Sequence, residues 1–149
     1  MINVITKTSQ ETFDLGFKYG QNLKGGEVLA LQGNLGAGKT CFLQGLAKGM
    51  GIKDQVNSPT FNILKVYRIP GKIKAKISPQ VFCHIDTYRL RDERDLISLG
   101  VEEFFNDLKT VTAIEWAEKV KKIWPKKTIV IEFKQLSENQ REINIIKRG

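Results

Sequence analysis

Residues 33–40 read GNLGAGKT and follow directly on the apolar run VLAL at 28–31. The stretch fits G-x-x-x-x-G-K-[ST] through Gly33, Gly38, Lys39 and Thr40, with a short apolar strand before it and a helical pattern, TCFLQGLAKGM, after it. Each residue type answers a physical demand. A phosphate chain must approach bare backbone so that several N–H groups can point at it. Glycines at 33, 36 and 38 permit that approach and the backbone angles it needs. A helix starting near Lys39 turns the positive end of its dipole toward the same anion. Lys39 can then reach the β- and γ-phosphates, and the Thr40 hydroxyl is placed to ligate Mg²⁺. The bare pattern arises by chance in on the order of one in two hundred chains this long, and the flanking strand and helix lower that further. The loop therefore reads as a nucleotide site.

The base-reading N/T-K-x-D string and the D-x-x-G switch of regulatory GTPases are both absent from the sequence, which favours ATP. Hydrolysis also needs carboxylates near the metal and the γ-phosphate. Two acids close apolar strands, Asp86 in VFCHID and Glu115 in VTAIEW. Strand periodicity puts Phe82, His84 and Asp86 on one face of the first of these, with Val81, Cys83 and Ile85 on the other. Ligands of such sheets bind at the carboxyl ends of the strands, where both acids would stand. Either acid can hold Mg²⁺, directly or through water, while the other orients the attacking water. His84, the only histidine, is expected to be an oriented, hydrogen-bonded side chain, with support of Asp86 as one role. Arg89 either neutralises phosphate charge or pairs with Asp92 or Glu93. In NSPTF, Thr60, ahead of Ser58, is expected to make a switch-like contact to the metal or γ-phosphate.

Outward from the loop, INVITKT alternates as an edge strand, and TSQE offers a capping box with Thr8 as N-cap and Glu11 three residues on. The helix that follows carries Phe13, Phe17 and Leu23 on one side, with Gly16 and Gly20 allowing close packing, and it stops at Gly25-Gly26. Beyond the loop helix, FNILKVYRI and QVFCHID form a hairpin around the basic tip PGKIKAKISP. Two short helices separated by Gly100, the strand VTAIEW, a basic helical segment ending at Trp124-Pro125, and the strands TIVIEFK and REINIIK complete the chain. The expected fold is α/β: a three-layer, P-loop NTPase-like sandwich, with a mixed, mostly parallel central sheet and helices on both faces. Residues 1–149 are expected to form one domain.

A net charge of +8 is enough to attract a polyanion such as RNA. The lysines are scattered, apart from local clusters at Lys72, Lys74 and Lys76 and at Lys119, Lys121, Lys122, Lys126 and Lys127. No apolar run approaches the roughly 20 residues that cross a bilayer, and the N-terminus has no signal-peptide pattern. Cys41 and Cys83 lack metal-ligand spacing and read as buried free thiols, which points to the cytoplasm.

Taken in order, GNLGAGKT, VNSPTF, HIDTYRL and IEWAE resemble the bacterial ATPase subunit of the machinery that installs N6-threonylcarbamoyladenosine on tRNA, over nearly the whole chain. The loop is generic, whereas SPTF, HxDxYRL and the Glu-Trp pair at these intervals are selective. The resemblance implies that Gly36, Ala37, Gly38, Lys39, Thr40 and Cys41 wrap the phosphates of ATP. It implies that Thr40 and Glu115 hold Mg²⁺, that Asp86 acts in hydrolysis, and that Thr60 lies in the switch-like segment. The start of the first helix, Thr8 to Thr12, would lie near the adenine, and Trp116 would pack by the site. The partners implied are the tRNA-modifying transferase and its dimerising partner protein. The connection between VYRI and QVFCHID is longer and more basic than the family pattern. Two other functions suit the same loop: a small-molecule kinase, and a nucleotide-gated interaction module with incidental hydrolysis. No arginine finger stands out in the sequence, so turnover is expected to be weak and to depend on partners.

Overall fold

Val28, Leu29, Ala30 and Leu31 are all buried, as a strand covered on both faces requires. The structure, a computed structural model, describes residues 1–58, 63–71 and 78–149. In it this strand, β2 (Val28–Gln32), lies at the centre of one sheet. The other strands are β1 (Ile2–Thr6), β3 (Leu64–Arg68), β4 (Val81–Asp86), β5 (Thr110–Glu115), β6 (Ile129–Gln135) and β7 (Arg141–Lys147). The spatial order is β1-β7-β6-β2-β5-β4-β3. The four central strands, β6, β2, β5 and β4, run parallel, and antiparallel pairs close both sides. The edge strand, the hairpin and the mixed sheet expected from the sequence are all present.

Side-chain alternation divides the core into two layers. Leu29, Leu31, Phe82, Val111, Ala113, Ile131 and Ile143 face one side, which is covered by α1 (Ser9–Gln21) and α2 (Lys39–Gly49). Val28, Ala30, Cys83, Ile85 and Ile114 face the other. That side is covered by α3 (Arg94–Ile97), α4 (Val101–Phe105) and a 3₁₀ segment, Ala117–Ile123. Gly100, with φ of 75°, separates α3 from α4 as expected. Cys83 is sealed in the second layer, and burial pushes its thiol up to about 12.

The N-cap of α1 is Thr8, whose hydroxyl accepts from the Glu11 amide at 3.1 Å. Glu11 reaches back one residue further than a standard capping box, to the Lys7 amide at 2.6 Å. Gly16 and Gly20 of α1 pack closely as expected, but Phe13 and Phe17 do not share that buried face. Its buried residues are Thr12, Gly16 and Gly20, while Phe13 and Phe17 are only half-buried. The reason is a reciprocal glycine contact with α2. A Cβ built on Gly16 would lie 2.1 Å from the Phe42 carbonyl oxygen, and one on Gly20 would lie 2.2 Å from that of Leu46. From the other helix, a Cβ built on Gly45 or Gly49 would lie 2.0 or 2.1 Å from the carbonyl oxygen of Phe13 or Phe17. Two backbones in contact leave no room for a phenyl ring between them.

That contact reverses the usual effect of a helical glycine. Alanine in place of glycine ordinarily favours a helix by about 1 kcal/mol, but overpacking costs about 1–3 kcal/mol and more when backbone must move. Gly45→Ala is therefore expected to lower the unfolding free energy by about 2 kcal/mol, measured by urea denaturation. An equally stable or stabilised variant would show that the helices can part freely.

Candidate functional site

The candidate site begins where β2 ends. Gly36 and Gly38 adopt left-handed φ values of 77° and 103°, and the chain then turns directly into α2. Gly38 is the N-cap and provides no side-chain cap, so no side chain caps the first-turn amides of α2. Gly33 has a different part to play: a Cβ there would lie 2.7 Å from the Phe133 carbonyl oxygen, so this glycine lets the loop leave the sheet close against β6.

Lys39 folds back into the loop. Its ammonium donates to the carbonyl oxygens of Gly33 and of Asn34, the latter at 3.3 Å, and lies 3.8 Å from the centre of the Trp116 ring. Burial lowers its pKa below the ordinary lysine value, against the upward pull of Glu115, Glu118 and Asp86. A buried cation held, among the described residues, by carbonyl oxygens and a ring face is well placed to exchange those partners for an anion.

Facing the loop is Glu115, at the end of β5 and only 2% exposed. Its Oε1 accepts from Thr40 Oγ1 at 3.2 Å, and its Oε2 accepts from Ser58 Oγ at 3.0 Å and from His84 Nε2 at 2.9 Å. Burial, the largest single influence, pushes the carboxyl pKa up. The hydrogen bonds and charge of His84, with the bonds from Ser58 and Thr40, together outweigh it and bring the pKa below the usual glutamate value. Asp86 pairs with Glu115 in the parallel register of β4 and β5, so the two acids end adjacent strands on the same face. Asp86 Oδ1 accepts from the Tyr88 amide at 2.9 Å. His84 contacts Glu115 rather than Asp86, a correction to the role expected from the sequence. The cause is geometric: His84 and Asp86 lie two residues apart on one strand, and the neighbouring strand carries the acid that the ring can reach.

Trp116 is the one non-glycine residue among those described with positive φ, at 56°. The Thr87 hydroxyl stabilises this left-handed turn by reaching the carbonyl oxygens of Glu115 at 3.0 Å and Trp116 at 2.6 Å. The indole is thereby held against Lys39 and, at 5.1 Å between ring centres, against Tyr88.

Together these elements line a cavity of about 550 Å³, within the range of ordinary small-molecule sites. Its lining combines Gly36 to Cys41 with Ser58, Asp86 and Glu115, and adds Ser9 and Thr12 of α1 and Glu138, Asn139 and Arg141 of the β6–β7 hairpin. Arg141 organises that connection by donating to the carbonyl oxygens of Ser137, Glu138 and Gln140, and its aliphatic stem lies beside Gly38. Arg89, for which a phosphate-facing position was one of the two expectations, also lines the cavity, and Arg141, which the sequence did not mark, joins it there. Among the described residues, no three His, Cys, Asp or Glu side chains converge as a metal cage. A cation here would draw on Thr40, Glu115, water and phosphate oxygens, the pattern that suits Mg²⁺.

Of the residues singled out from sequence, Gly36, Ala37, Gly38, Lys39, Thr40, Cys41, Thr12, Asp86 and Glu115 all line this cavity. Thr8 does not; its hydroxyl is engaged as the helix cap, and Ser9 takes the wall position. Gly33 lies behind the loop, against Phe133. Thr60 and the basic tip at Lys72, Lys74 and Lys76 lie outside the described residues. The second basic cluster is exposed; there Lys122 pairs with Glu93 at 3.7 Å, and Lys119 donates to the Tyr88 carbonyl oxygen. Glu138, Asn139 and Arg141 went unrecognised because a polar loop between two strands carries no motif.

Residues 6–143 match the model of the family described as threonylcarbamoyl adenosine biosynthesis protein TsaE. The chain is 37% identical over 141 residues to the tRNA threonylcarbamoyladenosine biosynthesis protein TsaE of Treponema pallidum, covering 95% of this chain and 97% of that one. It is 39% identical over 126 residues to the protein of the same name from Bacillus subtilis, covering 85% and 73%. The crystal structure of Bacillus subtilis YdiB superposes with a TM-score of 0.78 at 30% identity, covering 99% of this chain and 86% of that one. No helix among the described residues is long and apolar enough to cross a membrane.

Cys83 is fully buried as expected, but Cys41 is only half-buried because it stands on the cavity wall, its thiol donating to the Ser9 carbonyl oxygen at 3.1 Å. Iodoacetamide is expected to alkylate Cys41 in the native chain and to spare Cys83 until the chain unfolds, as read by peptide mass spectrometry. Equal labelling of both thiols would contradict this burial.

Proposed function

The chain belongs to the TsaE family of threonylcarbamoyl adenosine biosynthesis proteins, and from that membership we propose that it binds and hydrolyses Mg-ATP in support of tRNA modification. The observation that carries the reading is the 3.2 Å contact between Thr40 and Glu115. It sets a hydroxyl from the start of an uncapped helix against an acid at a strand end, inside a cavity large enough for a nucleotide.

In this reading the amides of residues 36–41 receive the phosphates, helped by the positive end of α2. Lys39 leaves the carbonyl oxygens of Gly33 and Asn34 for the β- and γ-phosphates, a stronger, charge-assisted partner. Thr40 and Glu115 hold Mg²⁺, which supplies charge neutralisation on the phosphate oxygens. Asp86, the acid next to Glu115, orients the water that attacks the γ-phosphate. Ser9, Thr12, Glu138 and Asn139, which also line the cavity, take the nucleoside. Turnover serves the transferase that modifies the tRNA and that transferase's dimerising partner.

Lys39→Ala is expected to abolish measurable ATP binding. Asp86→Asn is expected to lower turnover about a hundredfold while ATP affinity stays within about threefold. Calorimetry and phosphate release, alone and with the transferase and its partner, measure both. Unimpaired binding by Lys39→Ala would remove the site, and equal loss of binding and turnover in Asp86→Asn would assign that acid to construction instead.

A further inference from the structure

Glu115 has two oxygens with unequal surroundings. Among the described residues, Oε2 takes two donors, Ser58 Oγ at 3.0 Å and His84 Nε2 at 2.9 Å, whereas Oε1 takes one, Thr40 Oγ1 at 3.2 Å. A glutamate side chain has several rotatable bonds, and a carboxylate offers about four lone-pair directions. Something must decide which oxygen faces the cavity.

His84 is suited to that task by its rigidity. It is 1% exposed, on a central strand, with its ring parallel to that of fully buried Phe82 at an interplanar angle of 7° and a centre distance of 6.1 Å. Because a carboxylate offers only acceptors, Nε2 donates. The other ring nitrogen, Nδ1, is buried with no hydrogen-bond partner among the described residues. A histidine retained only for internal hydrogen bonding would be expected to use both nitrogens. Here the ring's one polar contact among those residues is the Glu115 oxygen turned away from Thr40.

We propose that His84 is a positioning residue that, with Ser58, anchors Oε2 of Glu115 so that Oε1 alone is presented beside Thr40 to the cation. The inference rests on Thr40 and Glu115 holding Mg²⁺ and extends that reading to the shell behind them. Such outer-shell partners fix a ligand's orientation, and their loss typically weakens metal binding about 10–100-fold.

The test is calorimetric binding of a non-hydrolysable ATP analogue to the intact chain, across a Mg²⁺ series and in EDTA. His84→Leu is expected to raise the Mg²⁺ concentration for half-maximal enhancement about tenfold, with affinity in EDTA changed by less than about twofold. His84→Gln, whose side-chain amide can donate from near the Nε2 position, is expected to restore the Mg²⁺ requirement to within about threefold. Equal weakening in EDTA and in Mg²⁺, or an unchanged Mg²⁺ requirement in His84→Leu, would overturn the role. Should His84→Leu fail to fold, Ser58→Ala is expected to raise the requirement in the same direction, and a wild-type requirement there would overturn the anchor. Wild-type binding that ignores Mg²⁺ would overturn the cation reading itself, which separates that failure from failure of His84 alone.

Discussion

The contact between Thr40 and Glu115 depends on two strands ending at the same height. Leu31 of β2 pairs with Glu115 of β5, and Glu115 pairs with Asp86 of β4. A parallel register therefore delivers the glycine loop and both acids to one edge of the sheet. A shift of one residue in either pairing would turn an acid to the opposite face. The apolar core specifies that register strongly, because Leu29, Val111, Ala113 and Phe82 fill one layer and Ala30, Ile114, Cys83 and Ile85 fill the other. Packing energy in the core thus fixes polar geometry at the edge.

The glycines work on both sides of this arrangement. Gly36 and Gly38 give the loop its left-handed angles. Gly16, Gly20, Gly45 and Gly49 bring α1 against α2 at backbone contact. That close approach brings the start of α1, with Ser9 and Thr12, beside the start of α2 at the cavity. Thr12 also bonds Thr6 at 2.7 Å, which ties the same end of α1 to the edge strand. One wall of the cavity is thus set by helix packing some distance from it.

Much of this was legible in the sequence, because the decisive signals are local. The glycine loop, the apolar strand before it, the threonine cap and the acids closing two strands each follow from neighbouring residues, and so did the alternation that put Asp86 with Phe82 and His84. What escaped depends on contacts across the chain. The partner of His84 is 31 residues away on another strand, and Ser58 meets Glu115 across 57 residues. Gly16 and Gly20 marked a close approach, but the partner helix that leaves Phe13 and Phe17 only half-buried is not visible in the local pattern. Arg141 reaches the cavity by looping back from a hairpin whose sequence is merely polar.

The central claim is that a nucleotide's phosphates lie on the amides at the start of α2 with a cation between Thr40 and Glu115. A crystal structure of the chain with a non-hydrolysable ATP analogue and Mg²⁺ tests it most directly. The account predicts phosphate oxygens against the backbone N–H groups of residues 36–41, Lys39 withdrawn from Gly33, and a cation about 2.1 Å from Thr40 Oγ1. A nucleotide bound elsewhere, with the Thr40–Glu115 bond and the Lys39–Gly33 contact still in place, would contradict it.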